Sequence, residues 1–179
     1  MTSSQQRALA SSRCEIVFDN LTRQLYATDA SPYQIEPAAV AFPRSAEEAR
    51  DAILAADAIG IPVSPRGAGT GLSGGALGDG LIVDFSRHNR QITALDLERR
   101  TVRVGAGVVL DQLNAFLKPH GFCFGPDVGT SSRATLGGMI ANIPPARTSR
   151  YTGPPPIMCA RSRLFWRTDA LRRSDRTIP

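Results

Sequence analysis

A glycine-rich stretch at residues 65–75 has the residue types best suited to binding an anion. Five of its eleven residues are glycine, Thr70 and Ser73 lie between them, and Arg66 stands near its start. Glycine lets successive backbone N–H groups turn toward one ligand, and such a nest binds negative charge. The hydroxyls can add hydrogen bonds, and the guanidinium can add positive charge. The stretch therefore predicts a site for the phosphates of a nucleotide or dinucleotide.

The residues around this stretch distinguish it from the two common phosphate loops. A P-loop has Lys and then Ser or Thr after its last glycine, whereas Gly74 is followed here by Gly75 and Ala76. The dinucleotide fingerprint opens a helix, whereas this stretch leads to the apolar residues 81–85. We interpret it as a strand–loop–strand phosphate site, and composition alone leaves a flexible surface turn as the alternative.

The elements that position this loop follow from apolar spacing and capping residues. Ser45 as N-cap, Glu48 as the capping-box partner and Gly60 as the stop predict a helix over 45–60. A second helix is predicted over 108–118, ending at Gly121. Its apolar face is predicted to contain Val109, Leu113, Phe116 and Leu117. The predicted strands are 38–42, 61–64, 81–85, 92–97 and 101–105, with a hairpin joining the last two.

A second segment rich in small residues follows these elements. Residues 126–132 read as a turn-rich loop, and they lead into the small residues of 134–142. Two such loops in one α+β unit can approach an extended ligand from two sides. This pairing strengthens the prediction of a nucleotide site.

These motifs, in this order, resemble a known family. The matching segments, with their spacing kept over about residues 19–142, are 28–33, Pro37, Val40, 43–45, 65–75, 84–87, 104–107, 125–127 and 134–142. The chain resembles the FAD-binding domain of the glycolate oxidase subunit and D-lactate dehydrogenase flavoproteins. That resemblance implies an α+β fold, the N-terminal and incomplete part of a vanillyl-alcohol-oxidase-like FAD-binding domain.

The resemblance also implies a cofactor and a reaction. It implies noncovalent FAD, with the pyrophosphate held by 66–74 and the flavin near 127–138, and oxidation of a small 2-hydroxy acid by hydride transfer. The family's catalytic residues lie mostly further along the chain, so none is assigned here. The implied cofactor contacts are Arg66, Gly67, Ala68, Gly69, Thr70, Gly71, Leu72, Ser73, Gly74, Pro126, Asp127, Ser131, Ala134, Thr135, Gly137, Gly138 and Asn142.

The sequence changes character after Asn142. Residues 1–142 contain 13 Lys and Arg against 14 Asp and Glu, whereas residues 143–179 contain 8 Arg and 2 Asp. The family continues with a second Asn and a Ser-rich glycine turn, where this chain has Ile143 and two prolines. Codons for residues 142–146 can be chosen that read Asn-Asn-Ser-Ser-Gly once one base is restored. We therefore interpret 143–179 as an aberrant Arg- and Pro-rich tail from a reading-frame shift, and we expect it to be disordered.

The remaining features narrow the class of protein. The length suits one domain, here an N-terminal segment at 1–18 followed by the partial FAD-binding domain at 19–142. The cysteines have no CxxC spacing, so no disulfide framework and no metal site are expected. His88 and His120 are interpreted as structural, and Asp84 as a cap or turn residue. The sequence has no apolar leader and no long apolar run, so we expect a cytoplasmic protein without a membrane span.

The sequence is compatible with three functions. The first is a fragment of an FAD-dependent 2-hydroxy-acid dehydrogenase or oxidase. The second is a noncatalytic FAD-binding module, or a nonfunctional truncated product, with a complementing chain as the partner that would carry the missing domain. The third is a nucleic-acid binder acting through the basic tail, and our prediction is no nucleic-acid partner.

Overall fold

The computed structural model describes residues 1–142 and three short strands beyond them, of which only the backbone is considered. The chain divides into two compact units, Met1–Asn89 and Arg90–Pro179, which are described separately. The helices are α1 Ser3–Ala10, α2 Asn20–Leu25, α3 Ala46–Ala58, α4 Leu110–Leu117 and α5 Leu136–Ala141. The strands are β1 Ile16–Val17, β2 Ala39–Ala41, β3 Val63–Arg66, β4 Leu81–Asp84, β5 Ile92–Asp96, β6 Thr101–Val104, β7 Cys123–Phe124, β8 Pro156–Ile157, β9 Ser162–Phe165 and β10 Leu171–Ser174. Apart from β8, β9 and β10, the tail lies outside the described residues, and its disorder stays a prediction.

A four-stranded sheet in the order β1-β2-β4-β3 forms the centre of the first unit. β2, β4 and β3 are parallel, and β1 pairs antiparallel with β2 at the edge. Every residue of β2 and β4 is buried, as expected for parallel strands covered on both faces. Because parallel strands end at the same edge of a sheet, the residues that follow β2, β3 and β4 lie along one edge.

The first 18 residues contribute to the core of this unit. The sequence predicted no element there, but α1 and β1 both form in that segment. Leu9 on α1 is fully buried in one cluster with Ala52 and Ala56 of α3, and Cys14 is buried in the same cluster. The Phe42 N–H also donates to the Glu15 carbonyl at 2.9 Å, which extends the β1–β2 pairing.

The predicted helix at 45–60 forms as α3, with a different arrangement of its first turn. The Ser45 hydroxyl accepts a hydrogen bond from the Glu48 N–H at 3.2 Å, as predicted for the N-cap. The Glu48 carboxylate accepts from the Arg44 N–H at 2.7 Å, one residue earlier than in a standard capping box. Gly60 ends the helix with φ +69°, and the Ile61 N–H closes it on the Ala56 carbonyl at 2.9 Å.

The second unit begins with the predicted hairpin of β5 and β6, which pair antiparallel. The predicted helix follows as α4, but one residue of its predicted apolar face was wrong. Leu110, Leu113 and Leu117 are buried in the core of this unit, whereas Phe116 is 39% exposed. The buried residues Leu110, Leu113 and Leu117 recur at three- and four-residue spacing and so lie on one face of the helix. Phe116 directly precedes Leu117 and is therefore rotated about 100° around the helix axis, away from that face.

Candidate cofactor site

Residues 67–80 connect β3 to β4 without an intervening helix. The two strands are parallel neighbours, so this segment is an irregular crossover, as the strand–loop–strand interpretation requires. Arg66 belongs to β3 rather than to the loop. Gly69 and Gly74 have φ of +67° and +73°, a region that L-residues with side chains rarely adopt. The glycines at these two positions are therefore required by the backbone itself.

The first half of this loop presents unused hydrogen-bond donors. Among the described residues, none accepts a hydrogen bond from the backbone N–H groups of 67–73. A Cβ added to Gly71 would meet nothing within 4 Å, so the space in front of this backbone is open. Free N–H groups beside open space fit a phosphate group, because each oxygen can accept several hydrogen bonds.

Residues 27–35 support the loop from the protein side. The Ala30 N–H donates to the Gly69 carbonyl at 2.9 Å, and a Cβ on Gly74 would lie 3.0 Å from the Tyr33 ring. Inside this support, an Asp29 carboxylate oxygen accepts from the Ser31 N–H at 2.8 Å. Burial raises the pKa of Asp29, but the hydrogen bonds from Ser31 and Ala76, together with the positive charge of Arg66, outweigh it and hold the pKa below its usual value. Asp29 is thus ionised at neutral pH and shapes the support for the loop.

Two further glycines let the loop return to β4. A Cβ on Gly80 would lie 1.9 Å from the Pro62 carbonyl oxygen, and one on Gly78 would lie 2.3 Å from the Ser64 hydroxyl. These two glycines were not predicted from the sequence as part of the site. Their only local signal was glycine shortly before an apolar strand, which does not reveal a contact with the preceding strand.

Arg66 contacts the protein through its guanidinium group. Its Nη2 donates to the Thr28 carbonyl at 2.8 Å and its Nη1 to the Tyr26 carbonyl at 3.3 Å. The guanidinium carbon also lies 5.0 Å from the centre of the Tyr26 ring. Direct contact between Arg66 and a ligand stays a prediction.

Asp84, interpreted from the sequence as a cap or turn residue, ends β4 and is 3% exposed. One of its oxygens accepts from the Ser86 N–H at 2.5 Å, and the other accepts from the Tyr26 phenol. Burial, followed by the hydrogen bond to Asp84, raises the pKa of Tyr26. Sequence reasoning missed Tyr26, since no spacing rule relates it to a strand end so much later in the chain.

The second predicted segment lies in the other unit, packed against residues 105–110. The Leu136 N–H donates to the Val108 carbonyl and the Gly137 N–H to the Ala106 carbonyl, both at 2.8 Å. A Cβ on Gly137 would come 2.9 Å from the Ala106 side chain. Thr135 is 2% exposed, and its hydroxyl accepts from the Gly138 N–H at 3.3 Å as the N-cap of α5.

The remaining predicted residues of this segment differ in exposure. Asp127, Gly138 and Asn142 are exposed, whereas Ala134 is buried and Pro126 and Ser131 are intermediate. Contact between these positions and the flavin stays a prediction, whereas Gly137 and Thr135 maintain the local fold. Because the two loops belong to different units, their joint contact with one ligand stays a prediction.

The two histidines and the other possible metal ligands show no arrangement that indicates a further site among the described residues. The His120 ring lies 6.3 Å from the ring of Phe116, and the His88 Nε2 lies 3.9 Å from a Glu15 carboxylate oxygen. In residues 1–142, His, Cys, Asp and Glu nowhere gather in a group of three that could hold a metal ion. Across the described helices, none is long and apolar enough to cross a membrane.

The fold and the first loop define an α+β protein in which an open, glycine-rich crossover joins two parallel strands. The FAD binding domain family matches residues 37–165, which is most of the chain. The chain belongs to this family, and FAD is its cofactor, in agreement with the resemblance drawn from the motifs. The matched residues continue past Asn142, where the sequence pattern departs from the flavoproteins that it resembles.

Curated relatives support the same assignment over part of their length. The chain is 56% identical over 116 residues to D-2-hydroxyglutarate dehydrogenase of Pantoea ananatis, covering 63% of this chain and 11% of that protein. It is 36% identical over 124 residues to the glycolate oxidase subunit GlcD of Bacillus subtilis, covering 68% of this chain and 26% of that protein. The chain therefore spans well under half of these relatives.

Solved structures confirm the fold class. An alkyldihydroxyacetonephosphate synthase matches with a TM-score of 0.67 at 21% identity, covering 79% of this chain and 29% of that one. The fold is that of the vanillyl-alcohol-oxidase type of FAD-binding protein, and the chain corresponds to part of it.

Proposed function

We propose that this chain is the cofactor-binding part of a flavin-dependent 2-hydroxy-acid dehydrogenase or oxidase. The observation that carries the proposal is the open glycine loop with free backbone donors, in a chain 56% identical over 116 residues to a D-2-hydroxyglutarate dehydrogenase. The substrate class is a small 2-hydroxy acid of the D-2-hydroxyglutarate, glycolate or D-lactate type, as the names of the relatives indicate.

The chain's own residues have defined tasks in this proposal. The N–H groups of 67–73 hold the FAD pyrophosphate, and the exposed residues of 127–138 contact the flavin. FAD, when bound, accepts the hydride that leaves the carbon bearing the substrate hydroxyl. No residue of this chain is assigned a catalytic role.

Retention of flavin after removal of excess FAD tests the cofactor site. We expect the purified chain to keep a visible flavin spectrum. Gly71→Val places a branched side chain in the open space before the loop, and it should weaken FAD binding about tenfold or more. Gly75→Val is the matched control, because a Cβ there also meets nothing within 4 Å but the residue lies outside the predicted contacts. Equal FAD affinity of the two variants would contradict the proposed position of the pyrophosphate.

A noncatalytic FAD-binding module is the second candidate, favoured by the small share of the relatives that the chain spans. Anaerobic addition of D-2-hydroxyglutarate, glycolate or D-lactate to the FAD-loaded chain separates the two. Bleaching of the flavin band supports the dehydrogenase, whereas an unchanged spectrum supports the module. Bleaching only after addition of a second protein would identify the complementing chain as the partner.

The proposal also includes a cytoplasmic location and no nucleic-acid partner.

A further inference from the structure

We propose that Arg66 is a positioning residue for the cofactor loop: its guanidinium fixes the glycine loop on residues 26–30 and does not act as the counter-ion of the FAD pyrophosphate. The inference deepens the proposed function and rests on it, because it concerns the loop assigned to FAD. It differs from the role that residue type alone predicts for an arginine beside a phosphate loop.

Arg66 lies at the point where the glycine loop leaves the sheet. It is the last residue of β3 and pairs in register with Asp84, the last residue of β4. Its carbonyl accepts from the Phe85 N–H at 2.9 Å, which continues the ladder past the strand ends. The residue therefore has a backbone fixed by β3 at the point where the loop departs.

The guanidinium group donates two of its five N–H groups to backbone carbonyls. It donates to the Thr28 oxygen at 2.8 Å and the Tyr26 oxygen at 3.3 Å, and it lies over the Tyr26 ring. Tyr26 is in turn anchored by its phenol to Asp84. Two directional bonds and a ring contact fix the orientation of a planar fork, which an ammonium group cannot reproduce.

The glycine loop rests directly on this fixed group. A Cβ on Gly69 would lie 2.9 Å from Arg66 Nη2 and 3.3 Å from its Cζ, so the backbone passes at contact distance over the guanidinium. The Gly69 carbonyl also accepts from the Ala30 N–H, two residues after Thr28. Arg66 thus fills the space between the loop and residues 26–30, and its loss would release the loop from its support.

Two substitutions separate positioning from charge. Arg66→Lys keeps the positive charge but loses the fork, and Arg66→Met fills space without charge. If Arg66 positions the loop, both variants lose FAD affinity by a similar factor of about ten, and the salt dependence of FAD binding equals that of the natural chain. Affinity kept in Arg66→Lys but lost in Arg66→Met, with a weaker salt dependence, would overturn the proposal.

Arg87→Lys provides the matched control. Arg87 also lies over an aromatic ring, that of Phe42 at 4.5 Å, and it pairs with Glu15 at 3.4 Å. We expect the FAD affinity of the Arg87→Lys variant to equal that of the natural chain. Thermal unfolding of each variant establishes that it is folded before its affinity is compared.

Hydrogen exchange tests the inference independently of FAD. In the chain without FAD, Arg66→Lys should speed exchange at the Ala30 amide, whose hydrogen bond to Gly69 depends on the loop position. Unchanged exchange at Ala30 would overturn the positioning role. If the natural chain binds no FAD, the proposed function fails, and this measurement still decides the role of Arg66.

Discussion

The phenol of Tyr26 donates a hydrogen bond to the buried carboxylate of Asp84, although the two residues are 58 positions apart. The bond links the segment after α2 to the end of β4, beside the strand from which the glycine loop departs. Because Asp84 is almost fully buried, its carboxylate depends on such donors to offset the cost of leaving water. The pair therefore stabilises the sheet edge that carries the candidate cofactor site.

Removal of this donor should destabilise the first unit. In Tyr26→Phe, an Asp84 oxygen loses its partner in a buried position, and we expect a loss of about 1–3 kcal/mol in the free energy of unfolding. Urea denaturation measures it. Tyr33→Phe is the control, since Tyr33 is 58% exposed and should change stability by less than about 0.5 kcal/mol. Equal effects of the two substitutions would contradict the importance of the hydrogen bond.

The N-terminal segment should be needed for stability. Leu9 is fully buried against α3, so Leu9→Ala leaves a cavity and should cost about 2–5 kcal/mol. Leu21→Ala removes the same atoms from a side chain that is 70% exposed and should cost less than about 0.5 kcal/mol. Chemical denaturation measures the free energy of unfolding of both variants. If Leu9→Ala loses no more stability than Leu21→Ala, α1 does not belong to the cooperative core.

The return of the loop to β4 should tolerate no side chain at Gly80. An added Cβ would overlap the Pro62 carbonyl oxygen, which itself accepts from the Leu81 N–H at 2.9 Å. Gly80→Ala must move this backbone, and we expect a loss of about 1–3 kcal/mol. Gly75→Ala, where the added atom meets nothing within 4 Å, should leave the melting temperature nearly unchanged. Gly80→Ala should therefore melt at a lower temperature than Gly75→Ala, and equal melting temperatures would contradict the prediction.

The elements with local signals could be predicted from the sequence. Ser45 and Gly60 mark the ends of α3 because a cap and a left-handed stop are determined by neighbouring residues. The strand at 81–84 follows from an uninterrupted apolar run bounded by glycine and polar residues. The glycine loop was located because its composition suits one type of backbone, and the family match supports its connection with FAD.

The contacts that hold the site could not be predicted in this way. α1 escaped notice because only one of its side chains, Leu9, is buried, which gives no helical periodicity. The contacts of Arg66 with Tyr26 and Thr28 join residues about 40 positions apart, which only the folded chain brings together. Likewise, the composition of 134–138 suggested ligand contact, whereas Thr135 and Gly137 are also needed for packing.

The gene itself tests the interpretation of the last 37 residues. If a base was lost near the codon for Asn142, restoring it should yield a frame that reads Asn-Asn-Ser-Ser-Gly and then continues the family pattern. The family match runs to residue 165, beyond Asn142, so the match alone does not mark where the family pattern ends. The DNA sequence is therefore the direct test. Codons that allow no such frame would reject the frame-shift hypothesis and favour a natural basic tail.

Cys14 should be protected from alkylation and should make stability depend on alkaline pH. Burial, and secondarily the negative charge of Glu48, raises the pKa of the Cys14 thiol to about 11. Since the unfolded thiol has an ordinary pKa of about 8.5, the neutral thiol is favoured by the fold. Its stabilising contribution is therefore complete below about pH 8.5 and is lost as the pH rises through about 11.

Two measurements check this pH dependence. Mass spectrometry after brief iodoacetamide treatment at mildly alkaline pH should show Cys14 less modified than the partly exposed Cys123. The unfolding free energy should then fall more steeply above about pH 9 in the natural chain than in Cys14→Ala, which has no thiol to ionise. Rapid alkylation of Cys14 in the folded chain, with identical pH profiles for the two proteins, would mean that the thiol is accessible and not buried in the core.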